Sequence, residues 1–234
     1  MPAPQFVGRP IDLANEARTS RRRLYPVSVV YSAYSLGVVS LALRSGGRGR
    51  PLAFGAAGLL AWTAAEYLVH RYVLHGRFAD GPGAFRHWLH ARFDALHVEH
   101  HARPWDGNHI NGTLRDTLPF VAALAALGFL APLPTLPVLV AAFVQGYVLE
   151  EWIHHSVHFA PFYGLRGAYW RYITRHHHYH HSPRGSELAF GLTNGGWDVA
   201  FGTRIPPADR ALLYERRRAW GPRESNGRGA RFER

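Results

Sequence analysis

Histidine is the residue type in this sequence whose number and spacing could do chemistry. The chain has 16 histidines in 234 residues, and ten of them fall into four short groups. The groups read H-x4-H, H-x2-H-H, H-x3-H and H-x2-H-H, and their members are His70, His75, His97, His100, His101, His154, His158, His177, His180 and His181. Neutral imidazole is a good ligand for iron, zinc, copper and nickel. Ten imidazoles exceed what one ion can use, so the groups predict two metal ions.

The spacing inside the groups fits helices. Residues three and four apart lie on one face of an α-helix. We therefore expect each H-x2-H-H group to form one stripe and the H-x3-H pair to stack one turn apart. His70 and His75 are about 140° apart at 3.6 residues per turn. They should flank a site, unless the helix is distorted between them.

Four polar residues near these groups could orient the imidazoles through the ring nitrogen that faces away from a metal. They are Glu66, Glu151, Asp198 and Asn194. The carboxylates could equally be helix-end charges or members of interfacial ion pairs. We expect surface, packing or orienting roles for the six remaining histidines, which are His87, His90, His109, His155, His176 and His178.

The composition excludes several other kinds of chemistry. There is no cysteine, which excludes disulfides, thiolate metal sites, iron–sulfur clusters and cysteine nucleophiles. All 27 basic residues are arginine, so lysine Schiff bases and P-loop lysines are excluded. The net charge is +11, and arginines cluster near the chain ends without a nucleic-acid-binding motif. This pattern favours an anionic membrane surface, and no nucleic acid, as the partner.

Apolar helices must position the histidines. Residues 25–43 carry no charge over 19 positions, which is enough to cross a bilayer. Residues 51–75 continue as a helix into the first histidine group. Residues 117–149 are uncharged and interrupted by prolines, which indicates two short spans joined by a hairpin, or a hairpin that enters and leaves by one face. We predict an all-α integral membrane bundle of about four transmembrane helices in two hairpins.

Either form of the second hairpin leaves all four histidine groups on one side of the membrane. The arginine-rich chain ends share that side, which makes it cytoplasmic by the positive-inside tendency. We expect an exposed basic arm over 1–24, one membrane domain over 25–222 and a basic, disordered tail over 223–234. The domain would carry a cytosolic, histidine-rich helical cap that holds the dinuclear metal site. Arginine in place of lysine, with abundant alanine, glycine and proline, favours a bacterial inner membrane.

The ordered set of four histidine motifs resembles the fatty acid hydroxylase / sterol desaturase superfamily, and most closely its fatty acid 2-hydroxylase-like branch. The stretches that carry the resemblance are EYLVHRYVLH at 66–75, HVEHHARPWD at 97–106 and HHHYHHSPRGSELAFGLTNGGWDVAFGT at 176–203. The similarity covers roughly residues 55–205. The chain departs from the branch at Glu150 and Glu151, where the branch favours a Tyr-Asp pair.

The resemblance implies a membrane-bound, O2-dependent oxygenase with no catalytic group beyond its metal centre. The ten grouped histidines would hold two iron ions, and zinc could occupy the site in a purified form. The reaction would be hydroxylation, or desaturation, of a C–H bond in a lipid, foremost a fatty acid or acyl chain. Electrons would come from a cytochrome b5-like or ferredoxin-type protein. Residues 1–50 show no haem-binding pattern, so we expect a separate donor.

Two further functions compete with this interpretation. A carotenoid ring hydroxylase or a sterol desaturase would use the same chemistry, and the H-x4-H and H-x2-H-H spacing suits carotenoid hydroxylases as well. A non-catalytic membrane metal-binding or transport protein belongs to another class. A transporter should place its ligands near the bilayer midplane, whereas these histidines lie at span ends.

Overall fold

The computed structural model describes residues 11–44, 49–76, 78, 80–131, 133–160, 164 and 166–219. Every regular element in these ranges is a helix, which confirms the all-α prediction. The α-helices are α1 Leu13–Arg44, α2 Gly49–Leu68, α3 Ala84–Leu89, α4 Ala95–Ala102, α5 Leu114–Leu130, α6 Leu136–His158, α7 Ala168–His180, α8 Gly196–Ala200 and α9 Pro207–Ala219. Two π-helical segments, Val69–Leu74 and His90–Asp94, directly follow α2 and α3.

Helix α6 lies at the centre and packs against α1, α2 and α5. Its valines form a buried core with apolar residues of α1; the members are Leu24, Val27, Tyr31, Val140, Val144 and Val148. Two glycines bring α2 and α6 close together. A Cβ on Gly58 would lie 2.2 Å from the Leu139 carbonyl oxygen, and a Cβ on Gly146 would lie 2.6 Å from Trp62.

The helix directions place the histidine-bearing ends together. Ser20 near the start of α1 bonds to His155 near the end of α6, while Val38 of α1 packs on Val138 at the start of α6. Helix α1 is therefore antiparallel to α6. The contacts of Gly58 and Trp62 show that α2 runs parallel to α6, so both helices carry their histidines to the same end.

In the part of the chain that the structure describes, three helices are long and apolar enough to cross a membrane: α1, the continuous helix Gly49–Leu74, and α6. Helix α5 is shorter, at 17 residues, and completes the second hairpin. Large apolar side chains point outward from these helices, with Leu36 and Leu41 67% exposed and Leu60 and Leu127 64% exposed. An outward apolar surface of this kind fits contact with lipid.

Within the described residues 11–24, the structure differs from the predicted exposed arm. Residues 13–24 form the first turns of α1, in which Ala17, Ser20 and Leu24 are fully buried. These three residues share one helix face between exposed arginines, and that face packs inward. Glu16 also accepts a hydrogen bond from the Gly107 amide, 2.9 Å away. Residues 1–10 and the predicted tail over 223–234 lie outside the described ranges.

Candidate metal centre

The ten histidines singled out by spacing meet in two groups of five. Group A consists of His70, His75, His97, His101 and His180. Group B consists of His100, His154, His158, His177 and His181. Within each group, one nitrogen of every imidazole lies within 4.8 Å of the others. The described structure thus brings together every histidine of the predicted set, in two places that could each hold an ion.

The nitrogens that face one another are Nε2 atoms. In group A the Nε2 atom of His75 lies 2.8 Å from that of His97 and 3.1 Å from that of His180. In group B the His158 Nε2 atom lies 2.8 Å from that of His177 and 3.0 Å from that of His154. Ligands bound at right angles about 2.1 Å from one ion are about 3 Å apart. The spacing therefore fits imidazoles that share an ion.

Helices α4 and α7 each contribute to both groups, which corrects the expected single stripes. In α4, His97 and His101 join group A while His100 joins group B. In α7, His177 joins group B and His180 joins group A, and His181, which directly follows α7, also joins group B. Residues four apart on a helix overlap more closely than residues three apart, so the middle histidine of each motif points to the neighbouring group.

A π-helical segment resolves the awkward spacing of His70 and His75. The His75 amide donates to the His70 carbonyl at 3.2 Å, which is a bond across five residues. This wider turn covers Val69–Leu74 and places both imidazoles in group A. Such local distortions often occur at functional sites. The helix is therefore distorted between these histidines, one of the two possibilities that their spacing left open.

Backbone carbonyls orient two imidazoles of group A. His70 Nδ1 donates to the Phe190 carbonyl, and His180 Nδ1 donates to the Leu188 carbonyl at 2.8 Å. A carbonyl oxygen can only accept, so Nδ1 carries the hydrogen in both neutral rings. Each Nε2 atom then presents its lone pair to the group. That tautomer is the one a metal ligand needs.

Burial keeps these imidazoles neutral. It lowers the pKa of His97, His100 and His177 well below the usual range, and neighbouring imidazoles lower the pKa of each further. Burial also lowers the pKa of His101 to about 4. Neutral rings with inward lone pairs 2.8–3.1 Å apart repel one another unless a cation lies between them. The donor set therefore fits two transition-metal ions.

Glu66 and Asp198 act on the imidazoles through a loop and do not touch group A or B directly. Glu66 accepts hydrogen bonds from the amides of Leu192 and Thr193. Asp198 accepts from the Phe190 amide at 2.8 Å and from the Gly191 amide at 3.0 Å. Both carboxylates thus fix the loop whose carbonyls orient His70 and His180. Neither carboxylate makes a direct hydrogen bond to an imidazole of group A or B among the described residues. The backbone carbonyls that orient His70 and His180 could not be identified from side-chain types.

Glu151 and Asn194 also lack the predicted direct contact within the described chain. Glu151 accepts hydrogen bonds from the Asn111 side chain and the Gly112 amide, so it fastens the loop before α5. Asn194 accepts from the Gly196 amide at 2.9 Å and closes a turn. His176, by contrast, is buried and bonds to Asp198 at 3.0 Å, and it directly precedes His177 of group B in the sequence.

A cavity of about 250 Å³ lies beside both groups. His70 and His97 of group A and His100 and His154 of group B line it. Apolar side chains from five helical segments form most of the remaining wall; they include Trp62, Leu74, Phe93, Leu96 and Phe120. A largely apolar pocket with a few polar groups is typical of a site for an apolar ligand.

Comparisons with known proteins agree with this geometry. The sequence model of a family described as fatty acid hydroxylase matches residues 55–203. Fatty acid 2-hydroxylase of Rattus norvegicus is 30% identical in an alignment of 156 residues that covers 64% of this chain and 38% of that protein. Dihydroceramide fatty acyl 2-hydroxylase FAH2 of Arabidopsis thaliana is 28% identical over 149 residues, which are 63% of this chain and 59% of that protein.

The alignment therefore spans well under half the length of the mammalian relative. One solved structure, described as full-length Scs7p with only its hydroxylase domain visible, superposes with a TM-score of 0.64 at 23% identity. The superposition covers 79% of this chain and 67% of that chain. This likeness shows that the two proteins share a fold.

Proposed function

The chain belongs to the fatty acid hydroxylase family, and on that basis we propose that it hydroxylates a C–H bond in the fatty acyl chain of a membrane lipid. The observation that carries the proposal is the pair of five-imidazole groups beside one largely apolar cavity. Relatives named fatty acid 2-hydroxylase support carbon 2 of the chain as the position. The same names favour acyl hydroxylation over the carotenoid and sterol alternatives.

We assign the members of groups A and B as the ligands of two iron ions. Imidazole also accepts zinc, so zinc could take the same places. When bound, the iron pair supplies the O2-dependent redox chemistry that an unactivated C–H bond requires and that no side chain can supply. The protein holds the imidazoles neutral, fixes the tautomers of His70 and His180 and excludes water by burial. The cavity wall holds the acyl chain against both groups.

We propose an acidic redox protein of the cytochrome b5 or ferredoxin type as the electron donor. A concave surface of about 200 Å³ is lined by Arg175, Arg204 and Arg210 and also reaches His176. His176 directly precedes His177 of group B. Arginines around a concavity attract an acidic partner and speed its association. This surface would bring the donor close to the metal groups.

We propose that the protein lies in a bacterial inner membrane with groups A and B on the cytoplasmic face. Arg21, Arg22 and Arg23 lie in the first turns of α1, at the same end of the bundle as the histidines. Positive residues beside membrane spans favour the cytoplasmic side. The exposed apolar surface of α1, α2 and α5 supports the membrane placement.

The proposed function is tested by the lipid profile of a host with and without this protein. We expect acyl lipids that gain one oxygen, at carbon 2 of the chain, in cells that express the wild-type protein. Purified, iron-loaded protein should consume O2 when it receives an acyl lipid and a reductant. If it consumes none, the hydroxylase proposal is wrong, and hydroxylated carotenoids or sterols would support the alternatives.

A further inference from the structure

Glu150 differs from the other carboxylates that line the cavity. Its side chain is 6% exposed and faces the cavity one helical turn before His154. Glu66 and Glu151 line the same cavity, but both accept hydrogen bonds from backbone amides. Glu150 makes no hydrogen bond with any residue in the described part of the chain.

A largely buried carboxyl group without a protein partner is costly unless its oxygens find a hydrogen-bond donor in the cavity that they face. The guanidinium of Arg92 also lines the cavity, but it is bound to Asp116 at 2.7 Å. The surrounding wall is mostly apolar by area, and two of its buried donors, Trp62 Nε1 and the Tyr147 hydroxyl, make no hydrogen bond to Glu150. The missing partner of Glu150 is therefore best supplied by a molecule inside the cavity.

We propose that Glu150 positions the lipid substrate by accepting a hydrogen bond from an N–H or O–H donor in its neutral polar end. A carboxyl oxygen can accept such a bond in either protonation state. Because Glu150 lies one turn from His154, the bond would hold the first carbons of the acyl chain beside group B. The inference rests on the proposed hydroxylase activity, and it assigns Glu150 as a positioning residue.

The test uses two lipids that differ in one N–H group, N-propylpalmitamide and propyl palmitate. Wild-type protein should show a kcat/KM about tenfold higher for the amide, the effect expected of one net hydrogen bond. Glu150→Leu should remove this preference through a higher KM for the amide, with little change for the ester. Glu150→Gln keeps an acceptor oxygen and should retain most of the preference. Glu187→Leu removes an exposed carboxylate outside the cavity lining and should behave like wild type.

Two further measurements separate positioning from a structural role. Glu150→Leu should still bind two metal ions, and its product should be hydroxylated at several carbons instead of one. Loss of metal in this variant would identify Glu150 as a ligand and overturn the inference. If the variant does not fold, wild-type protein alone decides, since equal kcat/KM for the two lipids would overturn the inference. Wild-type protein that oxidises neither lipid would instead reject the hydroxylase activity on which the inference rests.

Discussion

At the scale of single residues, the division of each H-x2-H-H motif between two groups is the central feature of the site. Histidines four apart stay together, and the histidine between them joins the other group. The pair in α4 belongs to group A, and the pair formed by His177 of α7 and His181, which directly follows α7, belongs to group B. Helices α4 and α7, which are 8 and 13 residues long, therefore each supply imidazoles to both groups.

This division predicts which of the two proposed metal ions each histidine binds. His101→Ala should lower bound iron from about two ions per chain to about one, and His181→Ala should do the same through group B. Turnover should fall by about 100-fold or more, since even lost supporting contacts cost 10–100-fold. Elemental analysis of the purified variants and lipid hydroxylation assays measure the two effects.

His87→Ala is the matched control for these variants. His87 is exposed on α3 and bonds to Asp80, not to either group. It should retain about two ions and full activity. Loss of both ions from His101→Ala would show that the two groups do not bind separately.

The sequence predicts the ten grouped histidines but not how they are divided between groups. Helical spacing places three imidazoles near one face, and only the positions of neighbouring helices decide which group each one joins. The roles of Glu66 and Asp198 were equally hidden, because their partners include backbone amides of residues 190–193. For Glu66 those amides are more than 120 residues away along the chain. The spacing of residues within a short motif cannot predict contacts between residues so far apart in the sequence.

At the scale of elements, α2 and α6 both contribute side chains to the cavity wall, and their close packing sets the distance between those side chains. Gly58 contacts the backbone of α6 directly, whereas Gly55, three residues earlier on α2, has nothing within 4 Å of its Cβ position. Small residues of this kind let membrane helices approach closely. The two glycines are alike in sequence, and only the packed structure separates their roles.

Gly58→Ala should therefore destabilise the bundle. The new methyl group would lie 2.2 Å from the Leu139 carbonyl oxygen, so the helices must separate at a cost of about 1–3 kcal/mol. Gly55→Ala is the control on the same helix and should be neutral or stabilising by up to about 1 kcal/mol. Thermal unfolding in detergent measures both. Equal unfolding temperatures for the two variants would contradict the close α2–α6 contact.

The first turns of α1 show another limit of sequence analysis at this scale. Arginines at positions 18 and 21–23 made the stretch look like a solvated arm, although Ala17, Ser20 and Leu24 share one buried face. Small and hydroxyl side chains on that face give a weak hydrophobic signal. Their burial depends on partners far along the chain, such as Asn111 and His155.

At the scale of the whole molecule, both histidine-bearing helix ends lie together and the α5–α6 connection lies at the opposite end. Gly128 near the end of α5 packs on Val140 near the start of α6. This arrangement fits two hairpins that cross the membrane. It also offers a direct test of topology, because the chain has no cysteine of its own.

Single cysteines should report the two sides of the membrane. Leu133→Cys, in the α5–α6 connection, should react with an impermeant maleimide added to intact spheroplasts, whereas Ala84→Cys, at the start of α3, should react only after lysis. Leu133 is 55% exposed, so the reagent can reach it. Protection of both positions until lysis would instead favour a second hairpin that enters and leaves by one face.

The arginine-lined concavity predicts how the proposed electron donor binds. Arg204→Glu combined with Arg210→Glu should raise the KM for an acidic ferredoxin by about tenfold, because like charges would meet at the interface. Turnover with dithionite as reductant should not change. Arg86→Glu, an exposed charge reversal on α3 outside this concavity, is the control. An unchanged KM in the double variant would place the docking surface elsewhere.

The sharing of α7 between groups A and B has a consequence for biosynthesis. Group A needs His180 and group B needs His177 and His181, so neither set of five imidazoles exists until the ribosome has released residue 181. By then both helical hairpins have been made and can enter the bilayer. If groups A and B hold iron as proposed, complete loading therefore requires both hairpins and residue 181 to have been synthesised first.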